Sequence, residues 1–579
     1  MSAPDLNNGQ MAAALDELGD LYELDGAESY RVIAYRNAAR AIRDSTVSVA
    51  EMVRTGTATE LHGIGKTLDE KLRALLETGD IPAAQKLRAK FPVGLIAVMH
   101  LPNFGPKRTR RIHDELGIDS LESLKAACEA GQVRSLRGFG RKVEEALLIA
   151  LEHAGEGPAP RVLLSRALVL GEQIVGALRA VPGAERVELA GSVRRMADSV
   201  KDLDVIATAE DPQALVRALA ELPLVASVGG SGENSARATL HTGMKLDLHV
   251  VEPDQFGNVL QHLSGSKAHN VQLREAAVRK GLHVSQYGIL DDATGETTRC
   301  ATEQEVYDTL GYAYIEPELR EGRGELEAAT KSALPDLVSA EDLQGDLHCH
   351  TTASDGRNEV EEMAQAAIER GLGYLAITDH SASHGFGNHV TPETLWAQIE
   401  RVRAINAQLE GFELLIGSEV NILPDGSLDY EDDLLAELDW VIASVHTSFG
   451  MAGPEMTARM VAACEHPWVD AIGHPTGRKI ETRQPYAIDV GKLIEAAART
   501  GTMLEINSAA DRRDLNEIHA RAAAQAGVRI LVDSDAHGTN TLGIVRYGIA
   551  TARRAWLTAD QVANTRPWPE FAKLRKRHR

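Results

Sequence analysis

Residues 346–356 read DLHCHTTASDG. Two histidines flank one cysteine and an aspartate follows five residues after the second, a grouping that suits a metal site, a redox thiol or packing. In an extended strand alternate side chains share a face, so His348 and His350 point together while Cys349 points away. That geometry favours a metal over a thiol, and imidazole with carboxylate suits zinc, manganese or iron. Three residues are too few to specify a site. The chain supplies more in TDH with His380, GSE with Glu419, SVH with His446, GHP with His474, and DSDAH with Asp535 and His537. With His348, His350 and Asp355 these make nine candidate ligands, six imidazoles and three carboxylates. Clustered divalent ions would lower the pKa of a bridging water and neutralise charge developing on phosphate, as phosphoester hydrolysis requires. Asp379, beside His380, is placed to orient a ligand or to serve as an ordinary strand-end carboxylate. His384 and His389 lie in SASHGFGNHV, a loop expected over the mouth, where they are candidate substrate contacts.

A second chemical centre lies earlier, in GSVRRMADSVKDLDVIA at 191–207. Asp202 and Asp204 share a face of an expected strand, and close carboxylates repel unless cations bind between them. KLDLHVV places Asp247 in another strand, where pairing would bring it alongside. Three oxygen ligands fit two magnesium ions about 4 Å apart, the arrangement for in-line displacement at phosphorus. Gly191 and Ser192, followed by Arg194 and Arg195, precede the strand, where a turn N–H, a hydroxyl and a guanidinium can cradle phosphate.

The elements that must position these groups are legible as periodicity. From Leu347 onward YLAITDH, FELLIGSEV, WVIASVH, DAIGHP, GTMLEIN and RILVDSDAH read as strands with helices between them, each ending in or beside polar residues. This is a repeated β/α layout, and in such barrels the strand C-termini carry the chemistry. Before it, RVELAG, DLDVIAT and KLDLHVVE alternate with helical stretches, as in a sheet covered by helices. Nearer the start, LHGIGKTLDEKL (61–72), LPNFGPKRTRRI (101–112) and LRGFGRKVEEAL (136–147) repeat one pattern at spacings of 40 and 35 residues. A glycine turn leads into a helix whose unpaired N-terminal amides can hold a phosphate. Three copies resemble helix-hairpin-helix motifs, which grip the nucleic-acid backbone without reading sequence. The pattern points to Gly63, Gly65, Lys66, Gly105, Lys107, Gly138 and Gly140 as DNA contacts. HAGEGPAP at 153–160 marks a boundary, and a polar stretch around 320–345 reads as a linker.

At 579 residues the chain has room for several domains. No apolar run approaches the roughly 20 residues of a membrane span, and the opening MSAPDLNNGQMAAALDELGD is too acidic for a targeting signal. Four scattered cysteines without CxxC spacing suggest neither disulfides nor a cysteine zinc finger, so a reducing cytoplasm is expected. A net charge of −23 opposes nucleic-acid binding when taken whole, although KRTRR at 107–111 and the terminal KLRKRHR are locally basic.

The set Gly191, Ser192, Arg194, Arg195, Asp202, Asp204 and Asp247 resembles the family X DNA polymerases, the group that includes DNA polymerase beta. The resemblance extends to LSGSKAHNVQLR at 263–274. There Gly265 and Ser266 match the turn beside the nucleotide sugar, and Asn270 and Arg274 match positions facing the incoming base and the template. The chain departs from the family at His262 and Leu263, where an aromatic pair helps exclude ribonucleotides, and at Lys201, where a glycine is common. ESYRVIAYRNAARAI at 28–42 resembles the phosphate-binding helix of the family's lyase domain, with Arg31, Tyr35 and Arg36. Lys71 matches its Schiff-base lysine, and a further phosphate-contacting lysine is matched only by Thr67 or Lys66.

The nine C-terminal groups, ordered HxH…D, DH, E, H, H, DxH, resemble the polymerase and histidinol phosphatase (PHP) domain. That resemblance implies a distorted β/α barrel of seven strands holding about three metals, manganese or zinc, with manganese favoured for activity. Together the resemblances imply a multidomain α/β protein in the bacterial family X layout. Its expected parts are a helical lyase-like domain with the first hairpin (1–92), helix-hairpin-helix fingers (93–155), a nucleotidyltransferase palm (156–255), a thumb (256–320), a linker (321–340) and the PHP barrel (341–579). The implied function is short-gap filling by DNA-templated synthesis with two Mg2+ or Mn2+, plus 3′–5′ exonuclease action at the barrel. The implied partners are gapped or primed DNA and deoxynucleoside triphosphates, with no membrane, and the chain is taken as a monomer. Cleavage at abasic sites and 5′-deoxyribose phosphate lyase activity are further expectations. Two rival readings are a repair phosphoesterase, acting at abasic or 3′-phosphate ends with weak synthesis, and a DNA-end-binding scaffold.

Overall fold

The computed structural model describes residues 6–45, 47–61, 63–101, 104–136, 138–154, 161–384 and 388–576. Most of the expected boundary at 153–160, the centre of the 381–390 loop and the end of the basic tail lie outside these residues. The chain forms two compact units, Met1–Val162 with Arg166–Ala190 and Val200–Phe256, and Leu163–Ser165 with Gly191–Ser199 and Gly257–Arg579.

The first unit opens on the helix Asn8–Asp25, started by a capping box in which Asn7 accepts from the Gln10 N–H at 2.9 Å. Its apolar stripe of Leu15, Leu18 and Leu21 joins Tyr35, Ala38 and Ala39 of the helix Ser29–Asp44 in one core. The three repeated turns share one backbone hydrogen bond. The Ile64 N–H reaches Leu61 O, the Phe104 N–H reaches Leu101 O and the Phe139 N–H reaches Leu136 O, each at 3.0 Å. The helices Lys66–Thr78, Pro106–Leu116 and Arg141–Ala154 then begin at the residue after the closing glycine. Phe104 and Phe139 pack 5.8 Å apart, so the second and third hairpins share a core. Further along, five strands pair in the order Ala184–Ala190, Asp202–Ala209, Lys245–Val250, Ser235–Leu240, Val225–Ser231. Only Asp202–Ala209 and Lys245–Val250 run parallel.

In the second unit seven parallel strands follow sequence order: Gly345–Asp346, Tyr374–Ile377, Glu413–Asn421, Trp440–Ser444, Ala471–Ile472, Met503–Asn507 and Ile530–Asp533. The sheet closes where Cys349 pairs with Ala536, the His350 N–H reaching Ala536 O at 2.8 Å. The two-residue strands make the barrel distorted. Period-2 alternation splits its apolar runs between two cores. Tyr374 and Ala376 join Leu415, Trp440 and Leu531 in one cluster, and Leu375 and Ile377 join a second, larger one. Trp568 and Phe571, near the chain end, pack with the first cluster. Among the described residues no helix is long and apolar enough to cross a membrane.

The stretch 321–340, expected as a linker, is packed structure instead. It contains the helix Glu325–Thr330, and Glu325 and Val338 are fully buried. Its polar composition reflects buried pairing, because Glu325 accepts from the Gly322 and Arg323 N–H groups at 2.7 and 2.6 Å and pairs with His269 at 2.8 Å.

Close packing of the barrel yields a direct test. A methyl group at Gly345 would meet the Tyr374 ring at 2.1–2.4 Å, and that ring is fully buried against Phe571. Gly345→Ala should destabilise the barrel by about 1–3 kcal/mol, read as a lower Tm in thermal unfolding. An unchanged Tm would show that the Tyr374 ring can swing aside.

Candidate active sites

The strand ends bring the nine C-terminal groups together. Ligand atoms of His350, Asp355, His380 and His537 lie within 4.8 Å of one another, as do those of His348, His350 and Asp535, and of His380, Glu419 and His446. His474 joins them through Nε2, 2.8 Å from Glu419 Oε1. Glu419 is the hub, with His446 Nε2 3.1 Å from Oε1, and His380 Nδ1 and His348 Nε2 at 2.8 and 3.4 Å from Oε2. Burial pushes the Glu419 and Asp535 carboxyls up, but the surrounding imidazoles outweigh it and hold both well below the usual range. Burial, then the neighbouring His380 and His537, lowers His350 to about 4, and burial with Arg512 lowers His474 to about 3. Both rings are thus neutral near pH 7, the form that ligates a metal. His348 Nε2, His350 Nδ1 and His474 Nδ1 are buried without a hydrogen-bond partner. A bare buried polar atom costs about 1–3 kcal/mol, and a cation at these atoms removes that cost, so the residues fit divalent metal.

Supporting residues fix this cluster. Glu505 accepts from His348 Nδ1 at 2.7 Å, which turns Nε2 toward the other ligands, and accepts from the His474 N–H at 2.5 Å. Glu505 was not foreseen; its signal was a lone carboxylate in the apolar run MLEIN, two residues before Asn507, which donates to Asp535 Oδ2 at 2.9 Å. The Asp379 carboxylate receives the Thr351 N–H and hydroxyl, the Ser354 hydroxyl and the Gln398 amide at 2.6–2.7 Å. It thereby pins the turn that carries Asp355. Asp535 and His474 hold left-handed backbone, φ +55° and +29°, a strained geometry that the surrounding bonds sustain. Cys349 faces the apolar core, and burial and nearby carboxylates push its thiol well above its ordinary value, which excludes a redox thiol. His384 is buried and stacks on His380 at 4.5 Å instead of overhanging the mouth, while His389 is exposed. A cavity of about 280 Å³ opens on the cluster and adds two unforeseen cations, Lys479 and Arg512.

In the first unit, register brings the three aspartates together. Asp204 pairs with Asp247 across the parallel strands, and Asp202 lies two residues before it on the same face, with Leu203 buried on the other. Arg237 on the next strand approaches Asp247 at 3.4 Å. The residues expected to cradle phosphate, Gly191–Arg195, fall in the second unit. Gly191, at φ +69°, opens a short helical turn through Arg194. Arg194, expected on phosphate, is instead locked onto buried Glu303 by bonds of 3.0 and 2.6 Å and onto the Ser264 hydroxyl at 2.8 Å. Burial raises the Glu303 carboxyl, but Arg320 and Arg194 outweigh it and hold it at about 2. Arg195 pairs with Glu321 at 3.0 Å and donates to Ser264 O. Gly265 and Ser266 form the turn before the helix Lys267–Val278, which Ser266 caps. Asn270 bonds His262 O and Gln261 at 2.8 and 2.9 Å, and Arg274 approaches the His262 ring at 3.0 Å.

At the hairpins Gly63 and Gly138 take φ +90° and +88°, and Gly65, Gly105 and Gly140 likewise face open space. The helices at Lys66 and Pro106 have no side-chain N-cap, and Lys66, Lys107 and Arg141 are exposed. On the preceding helix Tyr35 is buried and stacks on Tyr22 at 5.3 Å, and Arg36 is exposed and pairs with Asp20 and Glu23 of the packed neighbouring helix. Arg31 is exposed, donating to the Tyr22 hydroxyl at 3.0 Å, and Lys71 is half-buried on Lys66–Thr78.

Three family models match: helix-hairpin-helix domain over residues 6–81, DNA polymerase beta thumb over 259–321 and PHP domain over 346–509. Their order on this fold defines a polymerase-class chain carrying a phosphoesterase-type barrel. The DNA polymerase/3′-5′ exonuclease PolX of Bacillus subtilis (strain 168) is 37% identical over 566 residues, covering 97% of this chain and 98% of that protein. The chain belongs to this family, the bacterial family X DNA polymerases with a C-terminal PHP domain. A probable phosphatase of Thermoanaerobacter sp. (strain X514) is 33% identical over 231 residues, 38% of this chain and 89% of that protein. Another from Caldanaerobacter subterraneus subsp. tengcongensis is 34% identical over 203 residues, 33% of this chain and 75% of that protein.

The Glu505 contacts predict a measurable effect on metal affinity. Glu505→Gln should keep the fold but weaken binding of manganese or zinc to the barrel about 10- to 100-fold by calorimetry, because His348 loses its orienting charge. Unchanged affinity would remove Glu505 from the site.

Proposed function

We propose that this protein is a DNA-templated DNA polymerase that fills short gaps in repair, with 3′–5′ exonuclease activity in its barrel. The observation that carries the reading is near-complete coverage of one relative whose name joins both activities, on a chain that has both clusters. Asp202, Asp204 and Asp247 would hold two Mg2+ or Mn2+, and the nine barrel groups about three Mn2+ or Zn2+. Such ions supply Lewis acidity toward phosphoryl oxygens and acidify bound oxygen nucleophiles.

The chain's own residues do the rest. Ser192 and Arg195 bind triphosphate oxygens, and Asn270 and Arg274 face the base pair being formed. At the barrel, Lys479 and Arg512 grip the non-bridging oxygens of the terminal phosphodiester, Glu505 keeps His348 in one tautomer and Asp379 holds the Asp355 turn. Synthesis needs the primer hydroxyl in line with the α-phosphate, and removal needs water in line with the last phosphodiester. Two separate centres permit both. The exposed hairpin cations and uncapped helix N-termini hold the DNA backbone locally despite a net charge of −23. Relatives named as probable phosphatases favour terminal 3′-phosphate removal as a second barrel reaction.

The test uses a primer-labelled duplex with a single-nucleotide gap and manganese, with and without deoxynucleotides. Asp202→Ala should lose extension and retain shortening, whereas His350→Ala should do the reverse. Loss of both reactions in both variants would refute two independent centres.

A further inference from the structure

The segment Gly191–Ser199 packs in the same compact unit as the barrel. It bends back on itself, the Met196 N–H reaching Val193 O at 3.0 Å and the Ala197 N–H reaching Ser192 O at 3.1 Å. Three barrel arginines then take its outward acceptors. Arg478 donates to the Asp198 carboxylate at 2.9 Å. Arg513 donates to Met196 O at 3.0 Å and lies 3.1 Å from Asp198. Arg554 donates to Arg195 O at 2.8 Å.

These arginines come from three elements: the loop after Ala471–Ile472, the loop after Met503–Asn507, and the end of the helix Val545–Arg554. Arg513 is fully buried, and its Nε is fixed by the Thr551 hydroxyl at 2.9 Å. Both ends of the Arg513–Met196 bond sit in left-handed backbone, φ +47° and +54°, so the contact is held against local preference. The 507–514 loop has two working faces. Ala509, Asp511 and Arg512 line the metal cavity, while Arg513 reaches the Gly191–Ser199 segment.

Arg554 has a second role at Glu321, whose Oε1 it shares with Arg195 at 2.8 and 3.0 Å. Were Arg195 to leave Glu321 for an incoming phosphate, Arg554 would keep that carboxylate paired. A half-buried carboxylate left bare would oppose the exchange.

We propose that Arg478, Arg513 and Arg554 of the barrel are positioning residues for nucleotide binding, holding the Ser192–Arg195 cradle in its phosphate-accepting shape. The barrel therefore contributes to synthesis as well as to exonucleolysis. This rests on the reading of Ser192 and Arg195 as the triphosphate cradle.

The test uses the full chain carrying Asp198→Asn, Arg478→Ala or both, with gap filling and primer shortening measured on the same preparations. Loss of one charge-assisted bond at the cradle should raise the deoxynucleotide KM about tenfold with kcat within about twofold. DNA affinity and shortening should stay at wild-type values. The double variant should fall short of the sum of the singles, because the Arg478–Asp198 bond is common to both, while Asp198 also pairs with Arg513 and Arg478 also donates to Arg513 O. Arg513→Lys should recover part of the KM lost in Arg513→Ala, since the ammonium keeps the charge beside Asp198; if Arg513→Ala does not fold, the other two variants carry the test. Unchanged KM in folded Asp198→Asn and Arg478→Ala would overturn the proposal. So would a parallel fall of kcat and shortening, which marks general loosening. Absence of extension by the wild-type chain would instead overturn the polymerase reading.

Discussion

Nine ionisable groups meet at one end of a seven-stranded barrel, and their mutual compensation is the constraint on which that half of the molecule rests. Buried carboxylates at Glu419 and Asp535 are tolerable only beside imidazoles, and buried imidazoles with bare nitrogens only beside cations. Strand order supplies the convergence. Because all seven strands are parallel, their C-terminal ends fall on one rim, and closure at Cys349 and Ala536 brings the HxH segment beside the DxH segment. Apolar packing on both faces of the sheet then holds a polar rim that would not assemble on its own charges.

A smaller version of the same economy governs the five-stranded sheet. A single parallel pairing in an otherwise antiparallel order sets Asp204 beside Asp247, and period-2 alternation adds Asp202 on that face. A one-residue slip between the two strands would put Asp202 and Asp204 on the face opposite Asp247. Charge pairing recurs in the second unit, where Glu303 sits between Arg194 and Arg320, and Glu321 between Arg195 and Arg554. These pairs bind the thumb, the Gly191–Ser199 segment and the barrel into one compact body, and they explain why 321–340 is packed.

The metal-type residues were legible because their types are rare at strand ends and their order is distinctive. The hairpins were legible because three copies repeat a glycine turn before a helix. Residues whose role depends on a partner distant in sequence were harder to read. Tyr35 and Arg36 share a pattern in sequence, but Tyr35 is buried against Tyr22 while Arg36 stays exposed beside Asp20 and Glu23. Arg194 and Arg195 are adjacent and chemically identical, and only Glu303, more than a hundred residues on, separates their roles.

By itself, the sequence determined the β/α alternation, the hairpin repeats and the identity of the twelve groups able to hold metal, because periodicity and side-chain chemistry are local properties. Tertiary structure decided which of those groups share an ion, that Glu505 and Asp379 orient them, that Lys479 and Arg512 face the cavity, and that barrel arginines hold Gly191–Ser199. Those outcomes depend on distances between residues tens to hundreds of positions apart, which close packing sets and no local pattern encodes.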